Sequence, residues 1–251
     1  MHAVAENAVV SRVLSGERIS GEDARVLYGL PLTELGELAN RRRMLSKKSA
    51  YEGKGNSIAT YIVDRNINYT NVCNVYCKFC AFYRTEKDAD HYVLSLEEID
   101  RKLDELNAIG GVQVLLQGGH HPGLGIDHYL KMLNHIRSRY PRINIHGFSP
   151  PEFQHFAETF HMPLREVLVK FKEAGLASIP GGGGEILVDQ VRDRIAPLKC
   201  KTDAWLEVMR EAHAIGLRSS CTMMFGHVET LEDRLEPVSY THLTLPTKRI
   251  V

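Results

Sequence analysis

The sequence predicts an α/β fold: an incomplete (βα) barrel of TIM type with an N-terminal helical extension. Two observations carry that expectation. From residue 58 onward, strand-length apolar runs alternate five times with amphipathic helical stretches, the order of a parallel sheet with right-handed crossovers. Each run is followed at its carboxyl end by a cysteine-, glycine- or proline-rich polar segment, which is where barrel enzymes keep their chemistry. A doubly wound sheet shares the alternation and stays open on pattern alone.

Residues 1–50 read as the helical extension, residues 51–236 as five βα units and residues 237–251 as a tail. Ser20-Gly-Glu-Asp23 opens one short helix, and Pro31 stands before a second with Leu32, Leu35, Leu38 and Ala39 on one face. Ile58–Asn68 is the first strand. Ser95-Leu-Glu-Glu98 is a capping box opening a helix with Ile99, Leu103, Leu106 and Ile109 on its buried stripe, ended by Gly110-Gly111. Val112–Leu116 is the second strand, followed by a helix from about Asp127 with Leu130, Leu133 and Ile136. Ile143–Phe148 is the third, before a helix carrying Val167, Leu168 and Phe171. Leu176–Ile179 is the fourth, before a helix from Asp203 with Leu206, Met209 and Ala212, and Arg218–Phe225 is the fifth.

Composition sets limits on function. The 251 residues are 43% hydrophobic and 25% charged, ordinary for a globular protein. With 31 basic and 31 acidic residues, bulk charge gives no reason to expect a nucleic-acid or anionic-membrane partner. No apolar run is long enough to span a bilayer, and Met1-His-Ala-Val-Ala-Glu lacks a secretory pattern. Five cysteines, three in one cluster, fit a reducing cytoplasm.

The cluster is Cys73-x3-Cys77-x2-Cys80, on the loop leaving the first strand. A cube of four irons and four sulfides normally takes four thiolates, so three leave one iron open to a small molecule. A structural zinc site is the alternative; it closes with four ligands, so the fourth would be a distant histidine. Gln117-Gly118-Gly119 brings bare backbone to the mouth of the barrel, and His120 and His121 are acid–base groups, ring contacts or plain loop residues. Pro180 followed by Gly181–Gly184 and Glu185 is a backbone wrapped closely around something, with Glu185 at the start of the next helical segment. Arg192 and Arg194 read as surface ion-pair residues. His146 and Ser178 lie on strands and Ser149 ends the third one, each open to either an interior or a ligand-facing role.

The strings Asp64–Arg84, Gln117–Pro122 and Ser178–Leu187 resemble radical S-adenosylmethionine (radical SAM) enzymes, and within them the cyclic dehypoxanthine futalosine synthases of the futalosine route of menaquinone biosynthesis. The resemblance covers roughly residues 10–236. It implies an oxidoreductase in which Cys73, Cys77 and Cys80 hold a [4Fe-4S] cluster that chelates S-adenosyl-L-methionine. It places Phe79 beside the adenine, Gln117, Gly118 and Gly119 beside the methionine end, and Ser178 and Glu185 among the cofactor contacts. His120, His146 and Ser149 then face the substrate. A 5′-deoxyadenosyl radical would remove a hydrogen from the ribose of dehypoxanthine futalosine, and the sugar radical would close onto the aromatic ring. The implied partners are this small molecule and a one-electron donor such as flavodoxin or ferredoxin. Aminofutalosine synthase and deazaflavin-cofactor synthases are the neighbouring alternatives, and a zinc-stabilised binding module without catalysis is the one from another class.

The end of the sequence departs from the pattern. Thr230–Glu236 starts a helix that Pro237 is expected to cut, and Val238–Val251 shows no helical stripe. A barrel of about 250 residues that begins near residue 58 would end beyond about residue 300. The reading is therefore a C-terminally truncated barrel, with residues 237–251 resembling read-through into sequencing adaptor.

Overall fold

The computed structural model describes residues 2–244. The chain divides into two compact units, one of residues up to Tyr61 together with those from Arg234 onward, and one of Ile62–Asp233.

In the first unit, α1 (His2–Ser15), α2 (Gly21–Tyr28) and α3 (Leu32–Lys47) are followed by two short 3-10 turns, Ala50–Gly53 and Gly55–Ser57. Val9, Val13, Leu27 and Leu38 form its small apolar core. Ser20 caps α2, accepting from the Asp23 amide while the Asp23 carboxylate accepts from the Ser20 amide. Asp23 also pairs with Arg12 of α1. The stripe expected on α3 is reduced to Leu38, since Leu32 is 84% exposed.

The second unit is a five-stranded sheet: β1 (Asp64–Asn68), β2 (Gln113–Gln117), β3 (Asn144–Gly147), β4 (Ser178–Ile179) and β5 (Arg218–Ser219). All pairings are parallel and the spatial order is β1-β2-β3-β4-β5. A doubly wound sheet reverses its order at a switch point; this one never reverses. Right-handed crossovers in one direction keep the helices on one face and curl the sheet as an arc of a barrel. Between the strands run α4 (Leu96–Ala108), α5 (Ile126–Arg139), α6 (Pro150–Thr159), α7 (Leu164–Ala174), α8 (Asp189–Ile195) and α9 (Thr202–Ala214).

Alternation along the strands separates the two faces. Ile67, Val114, Leu116, Ile145 and Ile179 are buried on the helix side. There an aromatic core fills the space beneath α5, α6 and α7. Phe156 sits among the rings of Tyr129, Phe148, Phe153 and Phe171, with centroids 4.5–5.8 Å away. Phe156→Ala is expected to cost about 3–5 kcal/mol, the usual loss for a buried aromatic. A denaturant titration of the folded protein checks it; a loss below about 1 kcal/mol would mean the core collapses around the gap.

Several expected elements differ in extent. The first strand begins at Asp64 rather than Ile58, because β2 is preceded by the Gly110-Gly111 turn and offers no partner upstream of the Val112-to-Val63 bond. The fourth strand shrinks to two residues. The fifth stops at Ser219 because β4 ends at Ile179, which takes the Ser220 amide; beyond it the Thr222 hydroxyl and the Met224 amide bond to Gly181 and Glu185 of the glycine loop. Ile109 is 69% exposed, since α4 ends at Ala108 and Ile109 is its C-cap. The buried stripe of α5 is Tyr129, Met132, Leu133 and Ile136, leaving Leu130 at its margin. Ser149-Pro-Pro-Glu152 is the capped start of α6, a helix the sequence reading takes for loop.

α10 (Leu231–Thr244) runs through Pro237 instead of stopping there. A reciprocal cap between Thr230 and Asp233 starts it, and the proline forfeits one backbone bond within a helix already nucleated. The reading of the tail falls in part on residues 245–251, which lie outside the described residues. Among the described residues no helix is long and apolar enough to cross a membrane.

Candidate active site

The loop after β1 carries the three cysteines and is tied down on three sides. The Cys73 amide donates to the Arg84 carbonyl (2.9 Å), the Asn74 amide to His120 (3.2 Å) and the Lys78 amide to Ile195 at the end of α8 (2.8 Å). Tyr76, inside the loop, adopts a left-handed backbone with φ 51°. Strain of this kind persists where the surroundings over-determine the backbone, often at functional sites.

All three thiols are free, and they line one cavity of about 210 Å³ at the carboxyl ends of β1 and β2. Phe79, the Gln117–His120 segment, Ser149, Glu152 and Lys199 complete its wall. Burial pushes the Cys77 thiol up, and the neighbouring Lys199 ammonium counteracts it. Among the described residues no three His, Cys, Asp or Glu side chains converge as ligands of a single metal ion. The thiols ring a space instead. A polynuclear cluster, which presents separate iron corners to separate thiolates, fits that donor set.

The glycines after β2 line the cavity and are also packing residues. A Cβ on Gly119 would stand 2.1 Å from the Val72 carbonyl oxygen and 2.9 Å from the Cys73 Cβ; on Gly118 it would enter the Tyr69 ring at 2.5 Å. What approaches the bare backbone is the cysteine loop itself. The glycines after β4 behave alike, Gly181 lying where a Cβ would meet the Cys221 backbone at 2.4 Å.

Glu152 binds the three loops together. Its Oε1 accepts from the Tyr69 hydroxyl (2.8 Å) and the Gly118 amide (3.1 Å), and its Oε2 from the Ser149 amide (2.7 Å) and hydroxyl (2.6 Å). Burial raises its carboxyl above the usual range, against the pull of these donors. Ser149 is thus committed to Glu152 while still bordering the cavity.

On the opposite wall Lys199 donates to Glu185 (3.0 Å) and lies 5.4 Å above the centre of the Phe79 ring. Glu185 is not at a helix start: it has φ 44° and sits in the loop ahead of α8. Arg192, read from the sequence as a surface residue, is 2% exposed. It donates to the carbonyls of Cys200, Gly183 and Gly184 and lies 3.8 Å from Glu185. A buried guanidinium needs such partners, and here they fold the glycine loop. Nothing in the local sequence singled out Lys199. Glu152 was legible in principle, since Ser-x-x-Glu with prolines at the first two helical positions is a strong helix start.

The remaining candidates separate. His120 borders the cavity and faces the His155 ring at 5.0 Å, whereas His121 turns away and accepts from the Gly123 amide. His146 bonds Ser178 through Nδ1 (2.7 Å) on the face of the sheet opposite the helices. Asp64, Asn66, Gln113 and Asn144 share that face, with Asn144 donating to Gln113 (2.9 Å). Leu115, partly buried, sits between Asn66 and His146 on that otherwise polar face.

Desolvation pulls down the imidazoles of His120 (to about 3), His121, His128, His146 and His213. Each takes its proton at lower pH when folded than when unfolded, so its stabilising share is complete above pH 6.5 and lost as pH falls. Glu152, with a raised pKa, works the other way. Five groups outweigh one, so the melting temperature is expected to fall from pH 7 to pH 5. A flat or rising profile in a thermal scan would contradict it.

Residues 67–238 match the radical SAM superfamily. The chain is 39% identical over 229 residues to a cyclic dehypoxanthine futalosine synthase of Halalkalibacterium halodurans, covering 91% of this chain and 60% of that protein. It is 37% identical over 234 residues to a 5-amino-6-(D-ribitylamino)uracil–L-tyrosine 4-hydroxyphenyl transferase of Trichormus variabilis, covering 91% and 59%. The chain therefore spans about three-fifths of the length of these relatives. Methylornithine synthase shares the fold with a TM-score of 0.72 at 16% identity, over 95% of this chain and 65% of that one. With the match spanning β2 to β5 and all three clustered cysteines, the chain belongs to the radical SAM superfamily.

Proposed function

We propose that Cys73, Cys77 and Cys80 hold a [4Fe-4S] cluster, that S-adenosylmethionine binds against it, and that the chain serves the cyclisation of dehypoxanthine futalosine in menaquinone biosynthesis. The observation that carries this reading is the cavity: three free thiols at the mouth of a parallel sheet, beside a face of amides, an imidazole and a hydroxyl. When bound, the cluster and S-adenosylmethionine supply a radical that removes a hydrogen atom from the substrate. The protein's part is placement. The anchored loop fixes the thiols, Glu152 fixes the Gly118 amide, and Phe79 with Lys199 forms one wall. Asn66, His146 and Ser178, which share the middle row of that face, offer donors and acceptors suited to a sugar's hydroxyls, and burial lowers the His146 imidazole so that it favours its neutral, proton-accepting form. A flavodoxin or ferredoxin supplies the electron.

The name of the Trichormus relative favours a second reading, transfer of a 4-hydroxyphenyl group from tyrosine. One anaerobic assay separates them: the reconstituted protein is given either dehypoxanthine futalosine or tyrosine with 5-amino-6-(D-ribitylamino)uracil, and products are weighed by mass spectrometry. The cyclised isomer is expected; the transfer product overturns the substrate assignment. A colourless, zinc-containing preparation that takes up no iron or sulfide overturns the cluster itself.

A further inference from the structure

We propose that Lys199 is the counter-ion of the cysteine pocket, its positive charge raising the reduction potential of the iron–sulfur group that Cys73, Cys77 and Cys80 would hold. The inference rests on the cluster reading above but concerns a residue no motif contains. Three ionisable side chains are packed behind the cysteine loop: Arg192, Glu185 and Lys199, with side-chain exposures of 2%, 11% and 12%. Two cations face Glu185, and Arg192 also has the Asp189 carboxylate within electrostatic reach; burying such charges is costly unless each is paired. Arg192 is occupied by three backbone carbonyls of the glycine loop and the chain after α8. Lys199 is therefore the cation left facing the thiols, since it shares the cavity wall with the three cysteines.

The Phe79 ring beneath the ammonium is 42% exposed, so the charge reaches the thiols partly screened by solvent. Reduction adds a negative charge to an already anionic thiolate cluster, and a fixed cation favours it; net charge and hydrogen bonds to sulfur are established determinants of cluster potential. Glu185 moderates the effect by holding the ammonium at Oε1.

The test is an anaerobic redox titration of the reconstituted chain, with dithionite as reductant and the reduced-cluster electron paramagnetic resonance signal as readout, on wild type, Lys199→Met, Lys199→Arg and Glu185→Gln. The Met variant is expected to shift to a more negative midpoint at unchanged iron and sulfide content, and the Arg variant to stay near wild type. The Gln variant, which strips the moderating carboxylate, is expected to shift positively. A fully loaded Lys199→Met with the wild-type midpoint overturns the inference. If that variant takes up no iron, Glu185→Gln decides, an unchanged midpoint counting against Lys199. A wild type that assembles no cluster refutes the cluster reading instead, and the two failures are distinct.

Discussion

Gly119→Ala is expected to abolish iron–sulfur loading while leaving the sheet and helices intact. The added methyl would overlap the Val72 carbonyl at 2.1 Å and the Cys73 Cβ at 2.9 Å. Neither neighbour is the movable end of a side chain, so the cysteine loop must shift as a body. Its fixed points resist: the Gly119 amide bonds the Thr70 carbonyl, and Cys73 and Asn74 are held by Arg84 and His120. Overpacking of this kind costs about 1–3 kcal/mol, and each 1.4 kcal/mol lost from the loaded geometry is about tenfold in affinity. Gly125→Ala is the control, because a Cβ there meets nothing within 4 Å. Iron and sulfide per chain after anaerobic reconstitution give the answer, with far-ultraviolet circular dichroism verifying the fold. A Gly119→Ala protein that loads like the control would mean the loop is free to move, contrary to its hydrogen bonding.

The sequence announced the glycine pairs, but not what they were for. Bare backbone at a barrel mouth suggests ligand contact; the geometry shows chain against chain, with Tyr69, Val72 and Cys221 occupying the vacated space. Local spacing reveals that a close approach exists and is silent on the partner, which comes from a distant strand. The alternation of strands and helices was legible for a similar reason: it is a local pattern imposed by burial on one face. Strand lengths were not, because a ladder extends only as far as its neighbour does. β1 loses six expected residues to the turn before β2, and β5 loses its last six beside the glycine loop.

The site divides the same way. Three cysteines within eight residues were legible because their chemistry is carried by spacing. Arg192 and Lys199 were not, since charged residues on an amphipathic stretch usually face water. Here the glycine loop presents carbonyls that only a buried donor can satisfy, and Arg192 turns inward to do so. Burial of Arg192 in turn places Glu185, and Glu185 places Lys199. That sequence of dependences runs through space and leaves no mark on any one segment.

Glu152 is where a loss of stability comparable to that of the aromatic core is expected, and its variants should rank in a definite order. Glu152→Ala leaves the Tyr69 hydroxyl, the Gly118 amide and both Ser149 donors without their acceptor. Each orphaned buried donor costs about 1–3 kcal/mol, so a total of about 3 kcal/mol or more is expected even if some find water. Glu152→Gln keeps one carbonyl oxygen for Tyr69 and Gly118 but points an NH2 group at the Ser149 amide, a donor against a donor, for about 1–3 kcal/mol. Tyr69→Phe removes one donor and leaves the carboxylate three, for about 0.5–1.5 kcal/mol. Urea titrations of the three proteins test the ranking, and Tyr69→Phe equalling Glu152→Ala would show that the carboxylate is not the shared acceptor. The pH profile adds an independent check. Burial raises the Glu152 carboxyl, so it holds its proton more tightly folded than unfolded, and its share of stability fades as pH rises. The buried imidazoles have the opposite sign. Removing Glu152 strips the opposing slope, so stability in Glu152→Gln should climb more steeply between pH 5 and pH 7 than in the wild type. An unchanged climb would mean that the carboxyl titrates as it does in water, and a shallower one that its four donors outweigh burial.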